Sequence, residues 1–131
     1  MNGDEKIILT SLEKAVLTLE EALNLPKDVI VRDATIQRFE YTFELSVKFL
    51  KRYLETLPEG NDVDLLNYRD LIRLGAEAGI IKDVDAWFVY REARNITSHA
   101  YNENKAEDVY KAAQKFIIDA KNLLSDLQSR L

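Results

Sequence analysis

The chain has 131 residues, 47% apolar and 31% charged, which suits one soluble globular domain spanning 1–131 and is too polar for a membrane protein. Eighteen Lys and Arg against 23 Asp and Glu leave a net charge of −5, which argues against a broad basic coat for nucleic acid but leaves room for a local basic site. There is no Cys and a single His, His99, so thiolate zinc sites, iron–sulfur clusters, Cys nucleophiles and a multi-His metal centre within one chain are ruled out, and any imidazole chemistry passes through residue 99. Four Gly and two Pro cannot assemble a phosphate-cradling loop or a dinucleotide fingerprint, so neither a metal nor a cofactor is expected. The opening Met1-Asn2-Gly3-Asp4-Glu5 is acidic and the apolar run Ile7-Ile8-Leu9 breaks at Thr10, so no signal peptide is read. No segment approaches the roughly 18 apolar residues of a membrane helix. A cytoplasmic location is the expectation.

Helical periodicity recurs along the chain. Ile8, Leu12, Ala15, Leu19 and Ala22 share one face of a first helix that stops before Pro26. Asp33 is a candidate cap for a second helix of about 25 residues, whose face is Ile36, Phe39, Phe43, Ser46, Leu50, Tyr53 and Leu57. Pro58-Glu59-Gly60-Asn61-Asp62 breaks the pattern. A shorter helix is predicted over Tyr68 to Ala78, with Gly79 at the left-handed position after it. Asp83 caps a fourth from Val84 to about His99, and Asn104-Lys105-Ala106-Glu107 has the form of a capping box for a fifth, faced by Ala106, Val109, Ala113, Phe116, Ala120, Leu123 and Leu127. The fold class is therefore all-α: an antiparallel, up-and-down four-helix bundle with one additional short helix.

The fourth helix carries two stripes. Ala86, Val89, Ala93, Ile96 and Ala100 form a small apolar one, suited to packing within the bundle. Val84, Trp87 and Phe88 lead the other, which turns polar through Arg91, Arg94, Asn95 and Ser98. A buried guanidinium needs partners, so this second stripe is read as a homodimer face, anchored by Trp87 and opening into a pocket. Taken singly, His99 and Arg94 have plain structural readings: a capping residue at a helix C-terminus and a surface ion pair. The Asn95-Ile96-Thr97 sequon falls within a predicted helix and is set aside.

The string Arg94-Asn95-Ile96-Thr97-Ser98-His99-Ala100-Tyr101 resembles the Arg-x-x-x-x-His-x-Tyr signature of the HEPN superfamily. In the second helix, Gln37-Arg38-Phe39-Glu40-Tyr41-Thr42-Phe43-Glu44-Leu45 is similar to a string of its nucleotidyltransferase substrate-binding-protein-like branch. Ala78 to Ile81 and Asp85-Ala86-Trp87 fall in the same order, so the resemblance covers nearly the whole domain. Ser46-Val47 departs from the Ala-Trp common in relatives, a change that concerns packing more than chemistry.

The resemblance implies a partner of a minimal nucleotidyltransferase, read here as the RNA-cleaving toxin half of a toxin–antitoxin pair. The alternative is a non-catalytic subunit that binds substrate or nucleotide for the nucleotidyltransferase. Cleavage by 2′-hydroxyl attack needs a proton acceptor, a proton donor and a cation; His99 and Arg94 fit as catalytic residues, with Asn95, Ser98 and Arg91 in support. One His cannot be base and acid at once, so a homodimer sharing two copies is expected. In an ideal helix Arg94 and His99 lie about 140° apart, which requires the helix to loosen near His99 or the pair to act across the dimer axis. Tyr101 stands where the resemblance places the tyrosine that the nucleotidyltransferase modifies with nucleotide.

Overall fold

The computed structural model describes residues 6–58 and 60–131, and the acidic opening at 1–5 lies outside the described residues. Those residues form α1 (Thr10–Leu23), α2 (Val29–Glu55), α3 (Tyr68–Glu77), α4 (Val84–Asn95) and α5 (Glu103–Arg130), with 3₁₀ turns at Gly60–Leu65 and Thr97–His99 and no strand among them. The fold is all-α. No helix is long and apolar enough to cross a membrane among the described residues.

Helix starts follow from which polar side chain sits in extended backbone just ahead of the first turn. Asp28 does so before α2 (φ −140°), and its carboxylate accepts from the Val31 amide at 2.7 Å. The expected cap Asp33 is instead inside α2, paired with Arg32. Asn102 likewise caps α5 by accepting from the Lys105 amide at 3.1 Å, so the box built on Asn104 does not form. Glu107 is drawn to Lys27 and Arg32 instead. Asp83 caps α4 as predicted, accepting from Ala86 at 3.0 Å. Gly79 follows α3 with φ 77°, the left-handed conformation in which a Cβ is strained.

The predicted core faces of α2 and α5 are buried, and so are Leu12, Ala15, Leu19 and Ala22 of α1. Two terminal residues of the stripes fall outside: Ile8 precedes α1 and is exposed, and Leu57 follows α2 and is half-buried. Cross-helix pairs give the directions. Arg32 meets Glu103 near the starts of α2 and α5, and Tyr53 meets Arg130 near their ends, so these two run parallel. Glu13 pairs with Gln128 and Glu20 with Lys121, so α1 runs against α5. Tyr90 donates to Asp119 and Lys82 lies 3.6 Å from Asp126, so α4 also runs against α5. The four long helices therefore alternate in direction, with α3 as the extra short one.

Candidate functional site

Helix α4 is rolled by about one residue from the orientation its sequence suggested, and that roll decides what it presents. Trp87 is 2% exposed; its ring stands edge-on to Tyr90 and Phe116, both at 5.6 Å, and is tilted against Phe43 at 6.2 Å. The indole is thus spent in the chain's own core, and the dimer anchor expected of Trp87 is corrected on that ground. Val89, assigned to the packing stripe, is more than half exposed. With Trp87, Tyr90 and Ala93 inward, the neighbouring Phe88, Arg91 and Asn95 are left on the outer side.

Two sequence strings that lie some fifty residues apart meet at the end of α4. Arg94 donates through Nε to Glu44 Oε1 at 3.0 Å, and its Nη2 pairs with the same oxygen. Thr97 Oγ1 lies 2.9 Å from Glu40 Oε2 and 2.9 Å from the Arg94 carbonyl, and so can donate to either acceptor. From the same α2 string, Arg38 reaches the Thr18 carbonyl of α1 at 2.7 Å. The hydrogen bond to Glu44 pushes the Arg94 guanidinium above its already high ordinary range. Because both side chains are at least a third exposed, an incoming anion can displace the carboxylate.

The α-helix ends at Asn95, and Thr97–His99 continue as a single 3₁₀ turn, with the His99 amide donating to Ile96 at 2.9 Å. The helix does loosen before His99, so the separation of an ideal α-helix does not apply. His99 and Ser98 are exposed, and the Tyr101 ring stands 6.0 Å from His99 at 64°. Tyr101 itself is 85% exposed.

A groove of about 390 Å³ opens beside this corner, lined by Arg91, Arg94 and Asn95 from α4 together with Phe43, Glu44 and Tyr68. Three of the predicted site residues thus share one groove, and Ser98, His99 and Tyr101 lie on the turn beyond it. Val47, one of the two departures from the family string, also lines it, so that change reaches the site as well as the packing. Sequence reasoning gave no role to Glu40, Glu44 or Tyr68. The signal was available only in part: the two glutamates stand in the quoted α2 string, at the four-residue spacing that puts both on one helix face.

The model of the family "Nucleotidyltransferase substrate binding protein like" matches residues 8–129. The chain belongs to that family. A Haemophilus influenzae protein named probable ribonuclease HepT is 32% identical, over 96% of this chain and 95% of its own length. A solved Haemophilus influenzae structure, presented as the fold of a substrate binding domain of a nucleotidyltransferase, superposes with a TM-score of 0.84 at 30% identity, covering 92% of this chain and 99% of that one. A crystal structure from Thermus thermophilus gives 0.75 at 32% identity, over 88% and 98% of the two chains. The HEPN-type resemblance carried by the two strings is upheld by these matches.

Proposed function

We propose that the protein is the HEPN-type partner of a minimal nucleotidyltransferase and the RNA-cleaving toxin half of a toxin–antitoxin pair, with Arg94 and His99 acting in a cleft shared by two copies. The observation that carries this reading is the corner itself, where a displaceable guanidinium and an exposed imidazole flank the point at which α4 ends. The name of the Haemophilus influenzae relative, a ribonuclease, supports it. In the reaction a 2′-hydroxyl loses its proton to one imidazole and attacks the adjacent phosphorus. The bond to the 5′-oxygen breaks, that oxygen takes a proton from a second imidazole, and a 2′,3′-cyclic phosphate remains. Arg94, released from Glu44, bears the charge that develops on the phosphorane oxygens. One imidazole per chain supports the pairing of two copies, through the His99 corner and not through Trp87.

A second reading, a non-catalytic subunit that presents substrate, is favoured by the wording attached to the solved Haemophilus influenzae structure. Expression without the partner separates the two. Growth arrest with cyclic-phosphate RNA ends, lost in Arg94→Ala and His99→Ala, supports cleavage; harmless expression with nucleotide binding intact supports presentation.

A further inference from the structure

Around the corner from Arg94 the surface carries a second, contiguous groove of about 280 Å³, between α3 and α4. Its floor is aromatic. The Phe88 ring lies 6.5 Å from Tyr68, and Tyr68 lies 5.9 Å from Phe43, which lines the Arg94 groove. Guanidiniums cover the rings: Arg69 stands 4.4 Å over Phe88, Arg73 stands 5.6 Å from the same ring, and Arg91 lies 4.7 Å over Tyr68. Tyr68 is fixed from below by donating its hydroxyl to the Trp87 carbonyl at 2.7 Å. Among the described residues neither Arg69 nor Arg91 makes an ion pair, and Arg73 has only a 3.4 Å pair with Asp70 on its own helix. In a chain of net charge −5, Arg69 and Arg91 thus bring two guanidiniums to one small surface with no carboxylate at ion-pair distance among the described residues, although Glu92 also lines the groove. A guanidinium held over a ring still has N–H groups left to receive a phosphate.

We infer that this groove is a second nucleotide subsite: single-stranded RNA whose scissile phosphate sits at Arg94 runs on over α3, with flanking phosphates on Arg91 and Arg69 and a base stacked on the Arg69–Phe88 layer. Alternating aromatic faces and guanidiniums are the chemistry by which single strands are held without sequence preference. The inference rests on the proposed action on RNA and extends it from one phosphate to a track.

The test uses the full-length chain and fluorescently labelled 2′-O-methyl RNA, which cannot be cleaved, as a dinucleotide and as an octanucleotide. Wild type is expected to bind the octanucleotide about tenfold or more tighter than the dinucleotide, in line with about 1–3 kcal/mol per stacked base. In Arg69→Gln and Phe88→Leu this gain with length falls to about threefold or less, and Arg69→Gln also lowers the salt dependence of octanucleotide binding by roughly one phosphate contact. Lys115→Gln, on exposed α5 surface, serves as control, and far-ultraviolet circular dichroism verifies folding of each variant. If Arg69→Gln retains the full gain while Arg94→Ala loses affinity for both lengths, the subsite is wrong and the proposed function stands. If wild type binds neither RNA, both fail. If Arg69→Gln leaves RNA binding unchanged and weakens capture of the nucleotidyltransferase, the groove is a protein interface and the inference is overturned.

Discussion

Nε and Nη2 of Arg94 both address a single oxygen of Glu44, Oε1, on the helix packed beside it. In the proposed function the carboxylate occupies the edge of the guanidinium that an RNA phosphate would need, so Glu44 would compete with substrate. Both groups are at least a third exposed, which limits the pair to about 0.2–1 kcal/mol. Glu44→Gln is therefore expected to raise affinity for uncleavable RNA, by up to about fivefold. Arg94→Ala should instead lower cleavage by about a hundredfold or more, the usual effect of losing a donor aimed at developing charge. Binding titrations and single-turnover cleavage check both; a Glu44→Gln protein that binds RNA more weakly would show that the carboxylate positions Arg94 and does not compete for it.

The joint between α2 and α5 should set the acid limit of the fold. Arg32 is buried and receives Asp33, Glu103 and Glu107, with Glu103 Oε2 at 2.8 Å from Nη1. The hydrogen bond from Arg32 holds the Glu103 carboxyl below its ordinary range, and Lys27 and then Arg32 do the same for Glu107. Carboxylates with depressed values contribute stability that is present above their unfolded pKa, about 4.3, and lost as pH falls through the lower folded values. Arg32 is shifted upward and stays charged throughout, so it does not move this window. The melting temperature of wild type should exceed that of a Glu103→Gln/Glu107→Gln protein at pH 7, with the gap narrowing progressively as the pH falls below about 5. A gap that persists unchanged at pH 3 would exclude the ion cluster as its source.

Trp87 supplies the contrast between a core and an interface role. Enclosed by Phe43, Tyr90 and Phe116, its truncation to Ala should cost about 3–5 kcal/mol in urea unfolding. Trp87→Phe keeps most of the ring contacts and should leave the association state of the protein as it is in wild type. Sedimentation of the two at matched concentrations checks this; selective loss of association in Trp87→Phe, with stability preserved, would return the indole to an interface.

The placement of Trp87 also shows where the sequence stopped being informative. Trp87 and Phe88 are adjacent, 100° apart on a helix, and either assignment of the inner face satisfies a period of 3.6. What decides is the aromatic cluster waiting on α2 and α5, which periodicity within α4 cannot see. The caps failed for a similar reason: Asp28 and Asp33, or Asn102 and Asn104, are chemically equivalent candidates, and only backbone conformation selects between them. By contrast, the α2 and α5 stripes have Phe or Leu at most turns and no competing face, and every residue of theirs that lies within a helix is buried. Arg94 and His99 stand out in the sequence because a motif spacing carries them. Glu44, Tyr68 and Arg69 matter through contacts between helices, for which one sequence has no spacing rule.

Nucleotide transfer to a phenol requires the hydroxyl to enter a partner's active site, and at 85% exposure, beyond the end of the 3₁₀ turn, Tyr101 is free to do so. Its ring centroid lies 6.0 Å from that of His99, so a nucleotide attached there would sit beside the imidazole's corner of the molecule. In the proposed function the added negative charge would compete with an RNA phosphate for the same cations, and the modification would act as an off-switch through the site's own electrostatics. Co-expression with the cognate nucleotidyltransferase and ATP should add adenylate to the intact mass, and the modified protein should lose RNA cleavage. Tyr101→Phe should be unmodified and remain toxic in the presence of the partner. Added adenylate that persists in Tyr101→Phe would place the modification at another residue, and a modified protein that still cleaves would remove the switch.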